Sequence, residues 1–139
     1  MADSDKSFNQ RLIEEFRAND GKVGGQFEGR PLLILTTTGA KSGLPREIPL
    51  VHDRDGERLV VIASKGGAPT NPDWYHNVVA NPDVTVELPG ESFQGTAVPA
   101  TGEERDRLFG LMAQKMPGFA DYQRTVDRTI PVVVIERAA

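Results

Sequence analysis

The residues best suited to binding chemistry lie in two loops, and each loop follows an apolar run typical of a β-strand. The first loop, residues 36–46, contains Lys41 and Arg46 among glycines, and the second, residues 64–77, contains Lys65 beside a Gly-Gly pair. Glycine allows backbone N–H groups to approach a ligand closely, and cationic side chains bind phosphate or carboxylate groups. We therefore predict that the two loops form two walls of one site for an anionic ligand.

Other kinds of catalytic site have less support. The two histidines, His52 and His76, have no carboxylates at metal-ligand spacing, so no metal site is predicted. Ser64 lies outside any G-x-S-x-G nucleophile motif, and the lack of cysteine excludes thiolate chemistry. Residues 39–42 are not a P-loop because no glycine directly precedes the lysine. Trp74, the single tryptophan, follows the second loop and is a candidate to cover a flat ring, with an ordinary core position as the alternative.

Composition and charge limit the class of protein. A chain of 139 residues is long enough to build its own core, and we take residues 1–139 as a single domain. The net charge is −4, but residues 30–65 carry six cations and four anions, which favours a small anionic ligand over nucleic acid. The polar start and the lack of a long apolar run predict a cytoplasmic protein without stable membrane insertion. Peripheral membrane association, and the choice between monomer and homodimer, stay open.

The elements that must position the two loops are mostly strands. Apolar runs predict six strands, over residues 31–38, 46–52, 58–64, 84–88, 92–98 and 130–135. Helical spacing predicts an N-terminal helix over residues 7–20, a short helix with Asn71 as N-cap, and a later helix that begins with a Thr101–Glu104 capping box and is interrupted at Pro117. Hairpin links make the sheet antiparallel, and Pro49 requires an edge or bulge position. We predict a mainly β (α+β) fold, a six-stranded antiparallel barrel with three to four flanking helices.

Four motifs, in this order, resemble the deazaflavin-dependent nitroreductase family. They are T-T-x-G-x-K-S-G-x-P-R, S-K-G-G-A-P-x-x-P-x-W-Y-x-N, A-N-P-D-V-x-V and Y-Q-x-x-x-D-R-x-I-P-V, and together they span nearly the whole chain. The resemblance implies a split β-barrel that binds reduced coenzyme F-420, an 8-hydroxy-5-deazaflavin with a phosphodiester and an oligoglutamate tail. It also implies that the bound coenzyme is a hydride donor.

The resemblance assigns roles to individual residues. The phosphate and the tail would be held by Lys41, Ser42, Arg46 and Lys65. The ring end would be lined by Pro49, Leu50, Ala63, Ser64, Trp74, Tyr75 and Asn77. Catalysis would consist of positioning and of a hydrogen bond to the acceptor oxygen, for which Ser64 and Tyr122 are the candidate donors.

One departure from the family pattern bears on the substrate. Members that activate nitroimidazoles carry a tyrosine cluster at positions that align with Met116, Phe119 and Tyr122, and only Tyr122 keeps its hydroxyl here. We therefore predict quinones or related activated acceptors such as enones, rather than bicyclic nitroimidazoles, and other nitro compounds stay open as acceptors. Two alternatives stay open, an FMN-binding split-barrel oxidoreductase and a non-catalytic deazaflavin carrier.

Overall fold

The computed structural model describes residues 4–24, 29, 31–65 and 68–138. The strands are β1 (Leu32–Thr38), β2 (Pro45–Asp55), β3 (Arg58–Ile62), β4 (Asp83–Leu88), β5 (Glu91–Pro99) and β6 (Val132–Arg137). The helices are α1 (Ser4–Ala18), α2 (Asp73–Ala80), α3 (Gly102–Lys115) and α4 (Gly118–Thr125). Within the described ranges, no helix has the length and the apolar character needed to cross a membrane.

The six strands close into a barrel in the order β1-β2-β3-β6-β5-β4, with every neighbouring pair antiparallel. Two of the hairpins have two-residue turns, between Asp55 and Arg58 and between Leu88 and Glu91. Gly56 and Gly90 supply the positive φ angles that such turns require. The barrel confirms the predicted fold class.

Strand β2 changes partners along its length. Residues 45–51 pair with β1, and only residues 52–55 pair with β3. Pro49 lies opposite Ile34 in the part that has one hydrogen-bonded neighbour. Since proline has no N–H to donate, it is tolerated where one side of the strand is unpaired. The edge position predicted for Pro49 is confirmed.

Side-chain alternation divides the core into an interior cluster and two outer clusters. Leu33 and Leu35 point into the barrel, where Trp74 and Val78 of α2 join them, so α2 closes one end. On the outside, residues of β3 and β6 pack under α3 and α4. A third cluster joins α1 to β1 and includes Ile34. The first loop and α2 therefore lie at the same end of the barrel.

Helix α1 occupies residues 4–18 rather than the predicted 7–20. Residue 7, the predicted first residue, consequently lies inside the helix. The helix ends because Asp20 and Gly21 both adopt positive φ, and the Gly21 amide donates to the Phe16 carbonyl at 2.8 Å. A Cβ at Gly21 would lie 2.3 Å from Cγ of Pro89, so this position also needs glycine for space.

Two predicted helix caps are used differently in the structure. The N-cap of α2 is Pro72, one residue after the predicted Asn71. Thr101 does occupy the N-cap position of α3, but its side chain makes no capping hydrogen bond, and Glu104 pairs with Arg58 at 3.2 Å. Partners from other elements have replaced the local hydrogen bonds that the sequence favoured.

An ion-pair cluster that joins the β2–β3 hairpin to α3 predicts a pH dependence of stability. The carboxylate of Asp55 accepts hydrogen bonds from Arg107 at 3.0 Å and from Arg58 at 2.5 Å, which lowers the pKa of Asp55 from 3.8 to about 2. A carboxyl whose pKa is lower in the folded protein stabilises the fold at pH values above its pKa in the unfolded chain. This contribution is lost as the pH falls from 3.8 to about 2. Asp55→Asn is expected to flatten the acid decline in unfolding free energy within that window, measured by urea titration with circular dichroism. Asp106→Asn, an exposed change on the same helix as Arg107, is the control, and equal slopes for wild type and Asp55→Asn would contradict the prediction.

Candidate functional site

A cavity of about 540 Å³ lies between the β1–β2 loop and helix α2. Three parts of the chain line it, the end of β1 with the following loop, the start of β2, and one face of α2. The lining residues are Thr37, Gly39, Ala40, Lys41, Ser42, Arg46, Glu47, Ile48, Asp73, Trp74, His76 and Asn77. The cavity thus unites Lys41, Ser42, Arg46, Trp74 and Asn77 from the predicted site, although 28 to 36 residues separate the loop positions 41–46 from Trp74 and Asn77.

The first loop folds tightly on itself. The Gly39 amide donates to the Leu44 carbonyl at 2.8 Å, and the Gly43 amide donates to the Gly39 carbonyl at 2.9 Å. The Leu44 amide donates to Oγ of Ser42, and a Cβ at Gly39 would lie 2.5 Å from the same oxygen. The amides of Gly39, Gly43 and Leu44 are therefore used within the loop, whereas the side chains of Lys41 and Arg46 line the cavity.

Asn77 fastens the loop to helix α2. Its Nδ2 donates to Oγ1 of Thr37 at 3.1 Å, and its Oδ1 accepts from the Ala40 amide at 2.9 Å. The Asn77 side chain is buried, and its hydrogen bond to Thr37 lies away from water, whereas the one from the Ala40 amide is partly buried. The residue expected at the ring end is therefore also the connection between the two walls of the cavity.

Asn77→Ala is expected to destabilise the protein by about 1–3 kcal/mol, because the buried Thr37 hydroxyl and the Ala40 amide lose their partner. F-420 affinity should fall as well, since the loop that carries Lys41 is no longer held against α2. Urea unfolding and a binding titration measure the two effects. Asn81→Ala, at the C-cap of the same helix, is the matched control, and a wild-type unfolding free energy for Asn77→Ala would contradict the assignment.

The charges around the cavity leave two cations available. Across the residues that the structure covers, no carboxylate lies within 4.0 Å of the charged nitrogens of Lys41 or Arg46. Glu47 is neutralised by Arg17, whose Nη2 lies 2.6 Å from its Oε2. Hydrogen bonds to Glu87 and then to Glu47 raise the pKa of Arg17. Sequence reasoning missed Arg17, because a contact with a residue 30 positions away has no local signal.

The second loop contributes less to the cavity than predicted. Lys65 is exposed, has φ of +49°, and lies outside the lining, with its Nζ 3.5 Å from Oγ1 of Thr70. Gly66 and Gly67, which were expected to let a ligand approach the backbone, lie outside the described residues. Ser64 is 8% exposed, and its hydroxyl makes no hydrogen bond to any part of the chain that the structure covers. The second wall of this cavity is helix α2 instead of Lys65.

The residues expected at the ring end occupy different environments. Trp74 is 4% exposed and belongs to the barrel interior while it also lines the cavity. Ala63 lies in the same interior cluster, and Leu50 and Tyr75 pack against it, but none of these three lines the cavity. Pro49 also lies outside the lining. Trp74 is therefore a core residue with one edge towards the cavity.

Tyr122 lies on α4, outside the cavity lining. It is 37% exposed, and its ring meets that of Phe119 edge-on, with centroids 6.4 Å apart. Met116 and Phe119 are partly buried against the outer cluster beneath α3 and α4. The two residues that replace tyrosines of nitroimidazole-activating members thus serve in packing.

A larger cavity, of about 840 Å³, lies at the opposite end of the barrel. Its lining includes Lys22, Arg54 and Glu91. Nδ1 of His52, on the lining of this cavity, is buried and has no hydrogen-bond partner among the described residues, and burial lowers the pKa of this histidine. Among the described residues, no three His, Asp or Glu side chains gather as metal ligands. Lys22 and Arg54 line the larger cavity as well, so cations alone do not separate the two cavities. The smaller cavity is the better candidate for an anionic cofactor because its lining contains Lys41, Ser42 and Arg46, to which the family resemblance assigns the phosphate and the tail.

A closed six-stranded antiparallel barrel, with Lys41, Arg46 and Trp74 on a cavity at the end covered by α2, is an architecture suited to binding a small anionic cofactor. The chain belongs to the F-420H(2)-dependent quinone reductase family, whose sequence profile matches residues 9–137. Membership confirms the predicted family, the oxidoreductase class and coenzyme F-420 as the cofactor, and it gives no support to FMN.

Individual relatives agree with this assignment. An F-420H(2)-dependent quinone reductase of Mycobacterium tuberculosis is 40% identical over 126 residues, which cover 88% of this chain and 85% of that protein. A solved structure of an F-420-H2 dependent reductase, FDR-A, has a TM-score of 0.71 and 42% identity, covering 77% of this chain and 95% of its own. A further solved structure, described only as a domain-swapped dimer, has a TM-score of 0.73 and 36% identity, covering 96% of this chain and all of its own.

Proposed function

We propose that this protein reduces quinones with reduced F-420 and that Lys41 and Arg46 hold the negatively charged part of the coenzyme. The observation that carries this proposal is the pair of cations on the cavity that no described carboxylate neutralises. A guanidinium can bind phosphate or carboxylate oxygens in a bidentate manner, and an ammonium binds them as a point charge. Ser42 adds a hydroxyl whose oxygen accepts from the Leu44 amide, so its proton is available to a ligand.

The cavity fits the chemistry of this coenzyme. Its volume of about 540 Å³ is within the usual range for small-molecule sites. Ile48 and Trp74 supply apolar lining, and the cations are Lys41 on the β1–β2 loop and Arg46 at the start of β2. Asp73 is an anion on the opposite wall, which favours binding of the negative groups on the Lys41 side. The arrangement suits a ligand that is charged at one end and flat and apolar at the other.

When bound, reduced F-420 supplies the hydride for the reaction. The work of this chain is to orient the acceptor, exclude water and support the acceptor oxygen as it gains negative charge. Reduction of a quinone to a hydroquinone requires a hydride and a proton, so a hydrogen-bond donor near the oxygen lowers the barrier. We assign this role to Ser64 and Tyr122, which have hydroxyls without a partner among the described residues.

The cofactor assignment is tested by titration of the protein with F-420 beside FMN, with binding measured by calorimetry. F-420 should bind and FMN should bind far more weakly. A flavin that copurifies with its own absorption spectrum, together with weak F-420 binding, would overturn the assignment.

The activity is tested by mixing the protein, chemically reduced F-420 and menadione, and by following oxidation of the deazaflavin. Oxidation faster than in the protein-free mixture supports a reductase. F-420 binding without acceleration, across a panel of quinones and enones, would indicate a carrier.

The assembly and the location form a separate part of the proposal. We propose a cytoplasmic homodimer, and one relative described as a domain-swapped dimer supports that assembly. Light scattering coupled to gel filtration measures the mass in solution, and a monomer at all concentrations would overturn the dimer. Flotation with anionic and neutral vesicles tests peripheral membrane association.

A further inference from the structure

Arg128 makes an unusual set of contacts with the second loop. It lies between α4 and β6 and is partly buried. Its Nη1 donates to the Ala63 carbonyl at 3.3 Å and to Oδ1 of Asn71 at 2.6 Å, and its Nη2 donates to the Ser64 carbonyl at 2.9 Å. Its Nε donates to the Ala68 carbonyl at 3.1 Å. One guanidinium therefore holds four acceptors from residues 63–71.

Four oxygen acceptors that surround one position require a planar cation with several hydrogen-bond donors. Oxygen atoms that point towards one position repel one another unless donors satisfy them. Arginine presents five N–H groups in a fixed fork, whereas lysine offers three on a flexible stem. Within the covered part of the chain, no carboxylate pairs with Arg128, so its interactions are directed to the loop alone. The shape of the loop that carries Ser64 consequently depends on this side chain.

The backbone of Arg128 is tied to the helix that carries Tyr122. Nε2 of Gln123 in α4 donates to the Arg128 carbonyl at 2.8 Å. Oε1 of Gln123 accepts from the Ile130 amide at 2.9 Å and from Nη2 of Arg105 at 3.1 Å. Arg128 is therefore joined to α4 by its main chain and to the loop of Ser64 by its side chain.

We propose that Arg128 is a positioning residue that sets the loop of Ser64 relative to the helix of Tyr122. The proposal rests on the proposed function, in which these two hydroxyls serve the acceptor. Because the cations assigned to the charged part of the coenzyme lie elsewhere, on the β1–β2 loop and at the start of β2, Arg128 acts on the reaction step more than on coenzyme affinity.

The test compares Arg128→Lys, which keeps the charge and loses the fork, with the wild type. We expect kcat with menadione to fall roughly 10- to 100-fold, because small displacements in an active site have effects of that size. KM and the dissociation constant for reduced F-420 should change less than about threefold, a split that loss of general stability does not produce. Amide hydrogen exchange of residues 63–71 should become faster. Arg124→Lys, an exposed change on α4 at a residue paired with Asp121, is the matched control and should behave as wild type.

A second variant guards against a folding failure. Asn71→Ala removes one of the four acceptors and leaves Arg128 in place, so kcat should fall by a smaller factor with the same constancy of KM. Unchanged kcat in both variants, or a raised KM with unchanged kcat, would overturn the positioning role. If the wild type itself oxidises no reduced F-420, the proposed function fails instead. In that case, hydrogen exchange of the Arg128→Lys variant still decides whether Arg128 holds the loop. Exchange rates equal to those of the wild type would overturn the positioning role.

Discussion

Replacing Lys41 and Arg46 together by alanine is expected to weaken F-420 binding at least about 30-fold, the largest effect on affinity that the site predicts. Each single change should cost about 1–3 kcal/mol, or roughly 5- to 150-fold, which is the range for hydrogen bonds to charged groups. Both cations line the cavity and lack a carboxylate neighbour among the described residues, so their removal breaks no internal ion pair there. Calorimetric titration with F-420 measures the effect.

Lys115→Ala is the control for this prediction. It removes one positive charge from α3, where Lys115 pairs with Asp53 at 2.7 Å, outside the cavity lining. Its affinity for F-420 should stay close to that of the wild type. Raised salt should weaken binding to the wild type more than to the double variant, because added ions screen exposed charges. Wild-type affinity in the double variant would show that the charged part of the coenzyme binds elsewhere.

Trp74→Ala is expected to have the largest effect on stability, a loss of about 3–5 kcal/mol. The side chain is 4% exposed and packs inside the barrel with Leu33 and Leu35, so its truncation leaves a cavity at the end that α2 closes. Such a loss is a large part of the free energy of unfolding of a typical domain, which is roughly 5–15 kcal/mol. Circular dichroism during urea unfolding is the suitable measurement, because the variant has no tryptophan to report fluorescence.

Two further variants test whether Trp74 is a core residue or a mobile cover over the ligand. Trp74→Phe keeps an aromatic ring in the interior and should lose much less stability than Trp74→Ala. Val79→Ala changes a side chain on the same helix that is 57% exposed, and it should alter the unfolding free energy by less than about 0.5 kcal/mol. A Trp74→Ala protein within about 1 kcal/mol of the wild type would contradict the core assignment.

The sequence predicted the barrel well because its strands and turns depend on local patterns. Apolar runs located all six strands, and the observed strand ends differ from the predicted ones by at most three residues. The break between α3 and α4 at Pro117 was predicted directly from residue type. The turn at residues 89–90 likewise has the Pro-Gly sequence that is typical of a turn. The two caps failed for a different reason. Asn71 and Glu104 have polar side chains that bond equally well to distant groups, and Arg128 and Arg58 reach them in the folded chain.

The candidate site was only partly predictable. Lys41 and Arg46 follow from the composition of a loop and from the family resemblance, and the structure places both on one cavity with Trp74. The same reasoning grouped Lys65 with them, whereas its side chain lies near Thr70 and outside the lining. Composition identifies residues that are able to bind an anion. It does not determine the direction in which a side chain leaves its loop.

By itself, the amino-acid sequence determined the family, the strand order along the chain and the chemical class of the ligand. These properties reside in residue types and short spacings, which the chain carries before it folds. Only the tertiary structure decided that Asn77 fastens the first loop, that Arg17 neutralises Glu47, and that Arg128 organises the second loop. Each of these contacts joins residues 30 to 65 positions apart. Such pairs exist because barrel closure brings distant strand ends together, and no local pattern in the chain encodes which partners then meet.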